Sequence, residues 1–272
     1  DLREQALVHS QESLKIRRGL ATEDPESRHN LALSLNNLAT KYHLLGRHQE
    51  AVDSSMESLA ISKDLVAMDR EHLFLMVCAL NNLSNDHREL GEPSKAFAAL
   101  EEAVTVMHDL GLPAQGEFQW KAVLAGTLIS LCAVCAESGQ SKRALTAVEE
   151  CLTITRPLMQ ENPSVVQIVM GALTWQAQIF CASKLEWQAL SVLEEAVELA
   201  RQQDADQTSL TFPMATSLMS LAGLRGNLGL WKESRAAAEE AVEVLSALTR
   251  REPGYQSHLE QAKLLLATIK AT

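Results

Sequence analysis

Six short blocks decide how this chain is read: Gln11-Glu12-Ser13-Leu14, Met56-Glu57-Ser58-Leu59, Glu101-Glu102-Ala103-Val104, Glu149-Glu150-Cys151-Leu152, Glu194-Glu195-Ala196-Val197 and Glu239-Glu240-Ala241-Val242. They step by 45, 45, 48, 45 and 45 residues. A fixed period of this size marks a chain of stacked supersecondary units, none of which can bury its apolar face alone. The expected fold is an all-α solenoid of helix-turn-helix repeats.

The surroundings of each block supply the helix-turn-helix. From Leu31 to Leu45 apolar residues recur at helical spacing, Gly46 interrupts them, and Ala51, Val52, Met56, Leu59, Ala60 and Leu65 form a second amphipathic run. One period on, Leu80-Asn81-Asn82-Leu83 repeats Leu35-Asn36-Asn37-Leu38, Gly91 repeats Gly46 and Ala96 repeats Ala51. Gly139 with Ala144 and Gly229 with Ser234 continue the series. A glycine there can take the left-handed conformation of a tight interhelical turn, and the small residue after it lets two helices approach closely. Lys184 stands where the fourth repeat should have glycine, so it either takes that conformation at a cost or the turn differs. Gln176 replaces a leucine in the same repeat, which is therefore expected to form the softest interface.

The resulting segmentation is one array: a half-repeat at 2–20, full repeats at 30–72, 73–117, 118–163, 164–208 and 209–253, and a C-terminal capping helix at 255–270 carrying Leu264, Leu265, Leu266 and Ile269. Asn162-Pro163 and Pro213 are expected near helix starts, and the three extra residues of the long step in the Gly111–Gly116 loop. The chain opens on Asp1 rather than Met with only half a repeat, so more protein is expected upstream. The apolar stripe of that half (Ala6, Leu7, Leu14, Ile16) is expected to lie uncovered and to invite self-association.

Composition narrows the function. Aromatics are 4% of the 272 residues, which suits closely packed helices, and the net charge of −11 would repel nucleic-acid backbones and anionic membranes. No nucleic acid and no membrane are expected as partners, and no uninterrupted apolar run of transmembrane length is read. The five cysteines are odd in number and lie in helical patterns, as in a protein of the reducing cytoplasm.

Nothing in the chain points to chemistry. Cys132-Ala133-Val134-Cys135 is a CxxC, but it is mid-helix, without a second ligand pair, and Cys132 falls on a small packing position. The eight histidines are scattered and no HExxH occurs. Glutamate pairs repeated in every unit read as a solvated helix face, not as catalytic carboxylates. No enzyme activity, catalytic residue, cofactor or metal is expected.

On the residues quoted above, Leu35, Leu38, Ala39, Gly46, Ala51 and Ser58 and their counterparts Leu80, Leu83, Ser84, Gly91, Ala96 and Ala103, the chain resembles the tetratricopeptide repeat family. The likeness covers nearly the whole chain and implies that the solenoid is a right-handed superhelix. Its period exceeds the family's basic unit of about 34 residues, and the Leu-Asn-Asn-Leu copies look like the kinesin light chain type. Looser similarity extends to arrays at the C-terminal ends of large signalling NTPases.

The resemblance implies a protein-protein interaction scaffold that binds a peptide or protein segment in a concave groove lined by first helices; the alternative is a C-terminal sensor or oligomerisation array of a larger NTPase. Carried over residue by residue, the groove positions include Asn36, Thr40 and His43, then Asn81, Asn85 and Arg88, then Thr174 and Gln178. The N-terminal half of the groove is amide-rich, whereas the C-terminal half, with Gly171, Met219 and Gly223, is small and apolar. The asparagines either grip an extended backbone, or solvate the helices and bond the neighbouring repeat. Lysine is missing from these positions, which argues against clamping a C-terminal carboxylate. Trp231 and Trp187 are expected to close helix pairs, and Trp175 to lie nearest a ligand.

Overall fold

The computed structural model describes residues 2–20, 24–110, 117–202 and 211–271. All regular structure among them is helical, as expected, and the chain divides into two compact units, Asp1–Ser138 and Gly139–Thr272. The first unit holds α1 (Leu2–Leu20), α2 (Pro25–Leu44), α3 (His48–Met68), α4 (Leu73–Glu89), α5 (Pro93–Leu110) and α6 (Glu117–Glu137). The second holds α7 (Ser141–Leu158), α8 (Val166–Ala182), α9 (Glu186–Arg201), α10 (Thr211–Asn227), α11 (Trp231–Arg251) and α12 (Gln256–Ala271). The division falls between α6 and α7, inside the stretch assigned from sequence to one repeat. The Gly111–Gly116 loop, where the extra residues were placed, lies outside the described residues.

Within each unit helices pack on their chain neighbours, and first helices also touch the next first helix, as α2 does α4 and α8 does α10. The repeated small residues make this stacking close. The third residue of the block is fully buried in five copies, as Ser58, Ala103, Cys151, Ala196 and Ala241, and so are Ala51, Ala96, Ala144, Ala189 and Ser234 after the turns. Leu35, Leu80, Leu128, Leu173 and Leu218 of the first helices are buried as well; each contributes about 2 kcal/mol by leaving water. Where the small residue is serine, its hydroxyl is satisfied: Ser58 Oγ donates to the Ala32 carbonyl at 2.8 Å and Ser234 Oγ to that of Ala222 at 2.7 Å. Ser13 in α1 is exposed.

The turns share one construction. Gly46 N–H donates to His43 O and Arg47 N–H to Tyr42 O, both at 2.9 Å, the two bonds of a left-handed helix cap. Gly46, Gly91, Gly139 and Gly229 all have φ between +70° and +77°. Lys184 takes the same conformation at φ 59°, with the same pair of bonds to Cys181 O (3.0 Å) and Phe180 O (2.8 Å). Helix starts use the other end of the rule: Pro25 opens α2, and Asp24 caps it by accepting from Ser27 N–H at 2.9 Å.

Two expectations are corrected. Leu7 and Leu14 of α1 are buried against α2 rather than uncovered, since that face points at Leu31, Leu35 and Leu38; Val8, Ile16 and Leu20 are exposed instead. In α12 the packing face is Leu259, Ala262 and Ile269, spaced three and seven apart, which leaves Leu264 outward. By length and composition α6 would suit a membrane span. Its Trp120, Leu124, Leu128, Cys132 and Cys135 are buried, however, which is the situation of a core helix.

The glutamates of the block do more than face water. The second glutamate pairs with a base on the preceding second helix, 39 residues earlier, in Arg18–Glu57, Lys63–Glu102, Arg156–Glu195 and Arg201–Glu240.

Candidate binding face of the first helices

Helical spacing places His29, Leu33, Asn36 and Thr40 along one stripe of α2, and Phe74, Cys78, Asn81 and Asn85 along the matching stripe of α4. At the N-terminal end the stripes are apolar and open: Leu33 is exposed, and Phe74 is half exposed with its ring edge-on to Trp120 at 5.9 Å. Further along they turn polar. Sequence reading missed Phe74, although an aromatic seven residues before Asn81 was a visible signal.

Several of the polar residues bond the neighbouring repeat. Asn82 Nδ2 donates to Asn36 Oδ1 at 2.8 Å, and Asn81 Nδ2 to Thr127 Oγ1 at 3.0 Å and to Val77 O at 3.1 Å. Arg88 pairs with Glu137 at 2.5 Å. Thr40 Oγ1 donates to Asn36 O at 3.2 Å, within its own helix. An amide has two donor hydrogens and an acceptor oxygen, so the bonds of Asn36 and Asn81 leave capacity over. Asn85 is exposed and makes no side-chain hydrogen bond to another described residue.

In the second unit Thr174 Oγ1 donates to Met170 O at 2.8 Å and lies 3.5 Å from Ser217 Oγ, while Gln178 is exposed. Trp175 beside them is partly buried. Trp187 is exposed and closes no helix pair, because its one-residue displacement turns it outward. Trp231, also largely open, lies over Gly226, where an added Cβ would meet its ring at 3.5 Å.

His43 turns from the groove stripe to Asp86, Nδ1 to Oδ1 2.8 Å, and His48 reaches the same oxygen at 2.9 Å. Asp86 is 1% exposed. It was not singled out from sequence, since neither its own neighbours nor the repeat pattern mark it. The thiols are structural in character: burial pushes Cys78 up to about 11 and Cys151 to about 12. Cys132 and Cys135 are buried, and Cys181 is exposed.

The matching family models fall on this helix-turn-helix array. One described as "Tetratricopeptide repeat" matches residues 31–72 and 79–108. Residues 31–108 carry tetratricopeptide repeats. A second model, "Anaphase-promoting complex subunit 5", matches three overlapping stretches, 117–183, 172–217 and 211–269. No curated protein matches the sequence.

Solved tetratricopeptide-like structures agree. BtubC (BKLC) from P. vanneervenii superposes with a TM-score of 0.73 at 17% identity, covering 92% of this chain and 93% of that one. The putative kinesin light chain repeats of Podosopora anserina give 0.61 at 20%, covering 85% and 99%. A signal transduction ATPase with numerous domains from Pyrococcus horikoshii, with a tetratricopeptide repeat sensor, gives 0.60 at 13%, covering 90% of this chain but 34% of that one. At these identities the likeness is one of fold. Tetratricopeptide arrays are scaffolds for protein or peptide partners and are typically not enzymes.

Proposed function

We propose that the chain takes an extended peptide or protein segment on the first-helix face of its first unit. The observation that carries this reading is the face itself: Leu33 and Phe74 are open at one end, and Thr40 and Asn85 are open beside the amides of Asn36 and Asn81. An exposed aromatic anchors a bulky apolar side chain, and amides along the same stripe hydrogen-bond an extended backbone without reading its sequence. Thr174 and Gln178 offer a separate set of polar contacts on the first-helix face of the second unit. The binding needs no cofactor. The odd number of cysteines and their placement within helices support a reducing, cytoplasmic setting.

The test is capture of partners from lysate by the wild type, by Phe74→Ala/Asn85→Lys, and by Met56→Lys on the exposed surface of α3. Partners lost only from the first variant are the expected result. Equal retention by all three would remove the site from this face.

The second reading, a sensor array of a signalling NTPase, is supported by the fold likeness to the Pyrococcus horikoshii ATPase. A nucleotide-binding domain in the full reading frame is its expected mark, and a frame without one would end it. Self-association through Val8, Ile16 and Leu20 of α1 predicts a mass that rises with concentration in sedimentation equilibrium; a constant monomer mass would exclude it.

A further inference from the structure

The geometry points to a divalent transition-metal site formed by His43, His48 and Asp86 at the first interhelical turn. The left-handed cap at Gly46 makes it. The cap folds the chain so that the residue three before the glycine and the residue two after it stand side by side, their rings edge to face with centroids 5.3 Å apart. Asp86 then enters from the last turn of α4, one repeat on. Its Oδ1 lies 2.8 Å from His43 Nδ1 and 2.9 Å from His48 Nδ1, and the three donor atoms all lie within 4.8 Å of one another.

The arrangement suits an ion in three respects. Two imidazoles and a carboxylate form the donor set that selects zinc, cobalt or nickel over magnesium and calcium. Asp86 is buried near the negative end of its own helix dipole, where a carboxylate is held at a cost that a dication would relieve. The imidazoles, with side chains 36% and 22% exposed, open the cluster to solvent, so an ion can enter and water can fill its remaining positions. Metal–ligand bonds of about 2.0–2.1 Å in a tetrahedron set donor atoms about 3.3 Å apart. The present contacts need open by only about 0.5 Å on that geometry, which side-chain rotation supplies.

This construction is not a general feature of the repeat. The residues flanking the other turns in the same way are Arg88 and Pro93, Ala136 and Ser141, Cys181 and Glu186, and Gly226 and Trp231. None of these pairs carries two imidazoles. The expectation of no metal centre followed from histidines scattered in sequence; the turn and the repeat stacking bring these two to one carboxylate. An ion here would tie α2 and α3 to α4 and stabilise the first unit by its binding free energy.

The test is titration of the chelator-stripped full chain with Co2+. One equivalent should give visible d–d absorption, displaced by Zn2+, and Zn2+ should raise the unfolding midpoint. His48→Gln and Asp86→Asn should each weaken binding by about 100-fold or more, beyond the usual loss for an outer-shell partner. His29→Gln, which breaks the separate 3.0 Å contact of His29 with His72, should change neither readout. Should Asp86→Asn fail to fold, His48→Gln decides alone. Absence of stoichiometric binding by the wild type, or equal binding by wild type and His48→Gln, would overturn the assignment.

Discussion

Arg201 on α9 grips Glu240 on α11 with two hydrogen bonds, Nη2 to Oε2 at 2.6 Å and Nε to Oε1 at 3.2 Å, across 39 residues of chain. Glu240 raises the guanidinium's pKa through these bonds. The side chains are 49% and 31% exposed, so the pair is worth at most about 1 kcal/mol in water. Arg201→Glu should lower stability by about 0.5–1 kcal/mol, and adding Glu240→Arg should restore most of it. Urea unfolding at low and high salt is the check. Salt should shrink the difference, and a salt-independent loss would indicate packing rather than charge.

Lys184 occupies a conformation that costs a side-chain-bearing residue about 1–2 kcal/mol. Lys184→Gly should therefore stabilise the chain by about 1 kcal/mol after the added freedom of the unfolded glycine is subtracted. The converse change, Gly46→Lys, should destabilise by a similar amount. Hydrogen exchange should be fastest at the α8–α9 turn and slow in the glycine variant. Uniform protection across all turns would contradict this.

The third residue of the block discriminates between positions that sequence alone treats as equal. Ala196 is fully buried and Ser13 is exposed. Ala196→Leu should cost about 1–3 kcal/mol by overpacking, while Ser13→Leu should stay within about 0.5 kcal/mol. Thermal unfolding of the two variants separates them.

The buried thiols set an alkaline limit. An unfolded thiol loses its proton around 9.0, whereas burial holds Cys78 until about 11 and Cys151 until about 12. Above that lower value the unfolded chain binds fewer protons, so stability is full below pH 9 and falls as pH rises through the folded values. The slope approaches about 1.4 kcal/mol per pH unit for each thiol. Cys151→Ala should remove one thiol's share from a stability–pH curve. At pH about 8 an alkylating agent should modify exposed Cys181 before the buried cysteines.

The helical repeats were legible because packing repeats with the sequence. Leu35, Ala39, Ala51 and Ser58 have counterparts at the same offsets in the four later units, all of them buried. Lys184 shows the limit: the residue type left two turns open, and the local hydrogen bonds select the left-handed one. The site was less legible because its partners come from the next repeat. Nothing near Asn81 announces Thr127, and nothing near His43 announces Asp86, 43 residues away. The charge ladder was missed for the same reason. In four of the six blocks a base lies six residues after the second position, as Arg18, Lys63, Arg156 and Arg201, but it faces the following block's glutamate rather than its own.

That offset has a genetic consequence. Such a unit holds both an acid for the helix behind it and a base for the helix ahead. An in-frame tandem duplication of one unit therefore arrives with its own ion pair already matched, and a precise deletion leaves none broken. The array can change length by whole units without compensating substitutions at the new junction.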